Sequence, residues 1–127
     1  MDRETLTLLL RGQHLSMPDC TARGLWPHPP LLFSDLVQHL AEILREETYF
    51  PNSWRPHEPG QMVPEGGVIE KRDGAYLYRC QRASPMNPIV LAEKSERIFP
   101  NAEEAACHYL RWDLHPPGDL DGWKVLE

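Results

Sequence analysis

The chain has few cysteines, and those it has do not form a pattern. Cys20, Cys80 and Cys107 are isolated, their odd number leaves one without a mate, and no Cys-x-x-Cys occurs. A disulfide framework is therefore excluded as the source of stability. No apolar run approaches the roughly 20 residues of a membrane-spanning helix. Met1-Asp2-Arg3-Glu4 lacks the basic-then-apolar layout of a secretory signal. These absences point to a reduced, cytoplasmic, soluble protein with no membrane partner. Internal repeats, low-complexity tracts and heptads are missing too, so solenoids and coiled coils are excluded. Positive charge is scarce, with 13 Lys and Arg against 19 Asp and Glu, for a formal charge of −6. Because phosphate contacts rely on Lys and Arg, no nucleic-acid partner is expected.

Chemical motifs are equally sparse. The six histidines show no His-Glu-x-x-His and no zinc-type Cys/His quartet, so no metal is expected. His39 and Glu42 share a helix face by spacing, but two ligands do not make a site. Cys107 precedes His108, yet neighbouring helical residues point about 100° apart and cannot act as a nucleophile and its base. Gly66-Gly67 precedes an extended run instead of a helix, the wrong context for a phosphate loop. No cofactor and no catalytic residue is assigned.

Proline is plentiful, at 13 of 127 residues. Its clusters mark two loops, residues 13–31 and 49–66, where regular structure is not expected. Leu25 and Trp26 are expected to tuck the first loop onto the body. The second carries Tyr49, Phe50 and Trp54, more aromatic surface than a solvent loop needs.

Between and beyond these loops the local signals agree. Val68–Arg72 and Ala75–Cys80 flank Asp73-Gly74, a preferred type I′ turn, which predicts a hairpin over 68–80 with Arg72 opposite Ala75 and Ile69 opposite Tyr78. Ile69, Lys71, Tyr76, Tyr78 and Cys80 then share one face. Residues 34–47 read as a helix capped by Ser34, with Leu36, Val37, Leu40, Ile43 and Leu44 as its apolar stripe. Asn101 and Glu104 have the spacing of a capping box that opens a helix over 102–112. Residues 89–99 read as extended, either one strand or a hairpin turning at Lys94-Ser95, and residues 123–126 as a short last strand with Trp123 and Val125 inward. Residues 3–11 fit a helix with Asp2 as cap, and the alternation of Thr5 and Thr7 with leucines fits a strand; helix is preferred. The expected fold is α+β, one domain over 1–127, with a small, mostly antiparallel sheet packed by helices on one face.

With no catalytic constellation, the reading turns to surface recognition. The expected function is protein binding, in the form of a bacterial immunity-type protein that neutralises a basic toxin domain by stoichiometric association. Acidic residues Glu42, Glu46, Glu47, Asp119 and Asp121 would meet the basic partner, and Trp26, Tyr49 and Trp54 would anchor it. A peptide-binding adaptor or chaperone-like subunit is the alternative. A small enzyme using His57-Glu58 or the Asp119/Asp121 pair is the third.

Overall fold

The computed structural model describes residues 2–13, 15–51, 57–114, 118–120 and 122–127. Its N-terminal segment is helical: α1 spans Arg3–Leu10, and the Asp2 carboxylate accepts from the Thr5 N–H at 2.7 Å. Thr5, Leu9 and Leu10 are its buried side. The strand alternative fails because the polar threonine of the alternating pattern lies inside the core, where helical spacing places it beside Leu9.

The first proline loop corrects the expectation of irregular structure. A short helix, α2, runs Met17–Ala22, and the Ser16 hydroxyl accepts from the Asp19 N–H at 3.3 Å. Pro18 sits in the first turn, where a missing N–H costs nothing, so this proline starts a helix instead of forbidding one. Leu25 is buried as expected, whereas Trp26 stays half exposed at 52%.

Leu31–Leu32 form a two-residue strand, β1, and lead directly into α3, Phe33–Glu46. The helix begins one residue before Ser34, and its cap position, Leu32, makes no side-chain cap bond. Ser34 therefore lies inside the first turn and does not cap. Leu36, Leu40 and Leu44 are at most 2% exposed, and full burial of each contributes roughly 1.5–3 kcal/mol. Val37 and Ile43 flank this stripe and are half buried, while His39 and Ala41 join its buried side.

Two sheets follow instead of one. The larger, in the order β2-β3-β4-β5, is antiparallel throughout and joins Tyr49–Phe50, Gly66–Arg72, Ala75–Ser84 and Asn87–Phe99. The turn between β3 and β4 has φ of 50° at Asp73 and 78° at Gly74, the paired left-handed conformations of a type I′ turn. Arg72 opposes Ala75 and Ile69 opposes Tyr78, as the turn requires. Pro85 and Met86 make the turn of a second hairpin, so residues 87–99 are one strand with no turn at Lys94-Ser95. Helix α4, Ala102–Tyr109, opens with the Asn101 side chain accepting from the Glu104 N–H at 2.9 Å. It continues as a wider π turn over Leu110–Leu114, short of the regular helix expected to residue 112. The last strands, β6 (Gly118–Leu120) and β7 (Trp123–Leu126), form a separate three-stranded sheet with β1, in which β1 and β7 run parallel. Trp123 and Val125 face inward. The fold is α+β.

The helices cover one face of the larger sheet. Ile69, Tyr76, Tyr78 and Phe99 share a buried cluster with the leucines of α1 and α3 and with Ala105, Ala106 and Leu110. Phe50 meets Tyr109 edge-on, ring centroids 5.3 Å apart. Over β3 and β4 the opposite face is largely buried as well, contrary to simple alternation. Val68, Leu77 and Gln81 are buried there, and Glu70 accepts from Arg79 and Arg72, each at 2.7 Å. Val63 is buried as well, and its N–H donates to the Pro88 carbonyl at 2.9 Å, tying the segment ahead of β3 to the start of β5.

Removing one member of a buried ion pair strands the other charge, which costs about 3–5 kcal/mol. Arg79 and Glu70 are only 14% and 12% exposed at their side chains, whereas Arg72 is 55% exposed. Arg79→Met, which leaves Glu70 only the mostly exposed Arg72 as partner, is therefore expected to lower urea-measured stability by about 3 kcal/mol, the low end of that range, and Arg72→Ala by less than about 1 kcal/mol. Equal losses in the two variants would contradict the burial of this pair.

Candidate functional site

Two of the acidic residues expected to face a partner are engaged with this chain's own arginines. Glu42 of α3 pairs with Arg3 of α1, and Glu47 pairs with Arg11 at 2.5 Å, so two of these acids hold α1 against α3. Glu46 is exposed on the same helix. Glu103 of α4 pairs with Arg45 of α3, and the Lys71 ammonium donates to the Arg45 carbonyl at the end of α3 at 2.5 Å. Asp113, in the π turn, accepts from the Tyr78 hydroxyl at 2.8 Å and lies against Gly67, where a Cβ would collide with its carboxylate. The second glycine of Gly66-Gly67 thus serves a close approach of carboxylate to backbone.

The expected aromatic anchors do not assemble into one surface. Tyr49 is half buried in β2, opposite Glu70. Trp26 meets the His28 ring edge-on with centroids 5.0 Å apart, and His28 stacks on Trp123 at 4.0 Å. Trp54, Asp121 and the side chain of Asp119 lie outside the described residues. Of the residues suggested for a small enzyme, Glu58 is exposed and His57 half buried.

A different arrangement does gather polar groups. Between α1 and the first half of α3 lies an open groove of about 310 Å³, with Arg3, Asp35, His39 and Glu42 along it and Leu6, Leu31 and Leu32 among its apolar walls. Asp35, His39 and Glu42 are spaced four and three apart, so a helix presents them on one side. His39 is 7% exposed, and its Nε2 lies 2.8 Å from the Thr7 hydroxyl. That hydroxyl donates to the Arg3 carbonyl at 2.8 Å, so it accepts from His39, which carries its proton on Nε2. Burial, reinforced by the Arg3 charge and opposed by Glu42, holds the His39 pKa below its ordinary value of 6.5. The imidazole is neutral at pH 7. No group of three His, Cys, Asp or Glu placed to hold a metal occurs among the described residues. What the groove offers is an apolar trough with exposed carboxylate at its rim, suited to a basic or amphipathic side chain. Helical spacing alone signalled the pairing of His39 with Glu42. The placement of α1 across them, and with it Arg3 and Thr7, had no local signal.

No helix among the described residues is long and apolar enough to cross a membrane. Comparison of the chain with protein-family models, with curated proteins and with solved structures found no match.

A histidine with a depressed folded-state pKa binds its proton more readily in the unfolded chain, so stability is present above about 6.5 and declines as pH falls below it. His108, half buried and likewise lowered by desolvation, acts in the same direction. Denaturant titrations at pH 7.5 and 5.5 are expected to show lower stability at the acidic pH, and His39→Gln, which can still donate to Thr7, is expected to reduce that difference. An unchanged pH dependence in His39→Gln would contradict the neutral buried imidazole.

Proposed function

We propose that this protein acts by stoichiometric protein binding, as an immunity-type protein that neutralises a basic toxin domain, with the groove between α1 and α3 as its recognition surface. The observation that carries the reading is the groove's make-up: exposed Asp35 and half-buried Glu42 border apolar walls that end in exposed Leu32. Leu32 lies in register with Leu126 of β7, also exposed, so the apolar surface continues onto the small sheet. Single exposed leucines are ordinary on a protein surface, but two in register beside a concave trough form a patch that a partner side chain can fill. The formal charge of −6 complements a basic partner and would speed its association. His39 and Thr7 stiffen the floor of the trough, leaving the carboxylates to set specificity.

Co-expression with the products of adjacent reading frames, followed by copurification and a growth assay, tests the reading. A one-to-one complex and rescue of growth are expected. Asp35→Lys, on an exposed side chain, should weaken that complex by about tenfold or more without lowering the melting temperature. Absence of both complex and rescue, or a complex indifferent to Asp35→Lys, would overturn it.

A further inference from the structure

Strand β5 is the outer strand of the larger sheet, and every residue from Asn87 to Ile98 is exposed. Beyond β4 it has no strand partner among the described residues. A long edge of this kind presents a row of unpaired backbone N–H and C=O groups to any other strand. Ile98 is 70% exposed, and nearby Trp112 is 65% exposed. The two help line a groove of about 400 Å³ with Phe99 and Pro100 at the end of the strand.

The order of charges along this edge singles out one partner. Residues 91–99 read Leu-Ala-Glu-Lys-Ser-Glu-Arg-Ile-Phe. About Ser95 the pattern is matched with opposite sign: Glu93 mirrors Arg97, and Lys94 mirrors Glu96. We propose that β5 pairs antiparallel with β5 of a second copy about a two-fold axis at Ser95, joining two four-stranded sheets into one. This inference goes beyond the toxin-binding reading and does not rest on it.

The geometry allows few other registers. A two-fold axis perpendicular to the sheet keeps each side chain on its own face, and directly opposed residues share a face, so the axis must pass through a residue position. Centred on Glu93, Lys94, Glu96 or Arg97, it sets that charge against its own copy, which is unfavourable. Centred on Ser95, it sets Glu93 opposite the copy's Arg97 and Lys94 opposite the copy's Glu96, each contact occurring twice. Within one chain Lys94 and Glu96 already lie 2.9 Å apart, so the four such groups at the axis would form one alternating cluster. The same charges that deny the edge to other strands thus admit this one.

The apolar residues agree with the register. Beyond the charged block, Ala92 comes opposite Ile98. The exposed run Ile89–Leu91 of one copy is thereby carried alongside Phe99, Pro100 and the groove bordered by Trp112 in the other. The pairing of β4 with β5 shifts register between Arg82 and Ala83, leaving Ala92 as an extra residue. Such a bulge bends the strand and limits the regular ladder to the charged block and its immediate neighbours.

Light scattering on the full-length protein, eluted from a sizing column at up to about 100 μM, tests the proposal. A mass of twice 14.7 kDa is expected. Glu93→Arg, which faces Arg97 of the copy, should weaken the dimer about tenfold or more. Arg97→Glu should do the same, and the Glu93→Arg/Arg97→Glu double variant should restore it. Since Cys80 opposes Ser95 within one chain, Ser95→Cys is made together with Cys80→Ser. Two such cysteines on the axis should cross-link into a covalent dimer under mild oxidation, which reports the register even where a charge variant folds poorly. A monomer throughout this range, a dimer indifferent to Glu93→Arg, failure of the charge exchange to restore it, or no cross-link at position 95 would each overturn the proposal.

Discussion

The left-handed pair Asp73-Gly74 constrains more of this molecule than any other feature. With φ positive at both positions the chain can only reverse tightly, and the reversal sets Arg72 against Ala75 and every pair behind them. A slip of one residue would turn Ile69, Tyr76 and Tyr78 away from the helices and bring Glu70, Leu77 and Arg79 into their place. The core would then hold an ion pair where it now holds aromatic rings. Because both faces of this hairpin are buried by different chemistries, the register is specified from both sides.

From that hairpin the rest is positioned outward. On the helix face, α3 and α4 lie over the apolar residues and are joined to each other by Arg45 and Glu103. Helix α1 is held across α3 by its leucines and by the Arg3–Glu42 and Arg11–Glu47 pairs, and this creates the groove. The first of these pairs is exposed and contributes little to stability, and the second is half buried. Their effect here is on shape and local charge: they spend acidic groups internally and leave Asp35 and Glu46 as exposed acids of α3. On the other side of the sheet, β4 carries β5 outward as an edge.

Features encoded by neighbours in sequence were legible without coordinates. The hairpin register, the Asn101 cap, the Asp2 cap, the apolar stripe of α3 and the inward Trp123 and Val125 each depend on residues a few positions apart. Features encoded across distance were not. Burial of the outer face of β3 and β4 requires a neutralised Glu70–Arg79 pair, which alternation reads as a solvated face. The engagement of Glu42 by Arg3 spans 39 positions, so an acidic helix face looked available for a partner. Separation of β7 into a second sheet depends on a parallel pairing with Leu31–Leu32, and two residues carry too little pattern to announce a strand. Pro18 misled for a local reason: proline interrupts a helix interior but is compatible with its first turn.

The most direct measurement is the set of cross-strand Hα–Hα nuclear Overhauser effects in the hairpin. Residues flanking a two-residue turn form a hydrogen-bonded pair, so the next pair, Lys71 with Tyr76, and then Ile69 with Tyr78, bring their α-protons close together. Strong effects between those partners are the expected result. Strong effects linking Glu70 to Tyr76, or Lys71 to Leu77, would mean a different register and contradict the account of both faces.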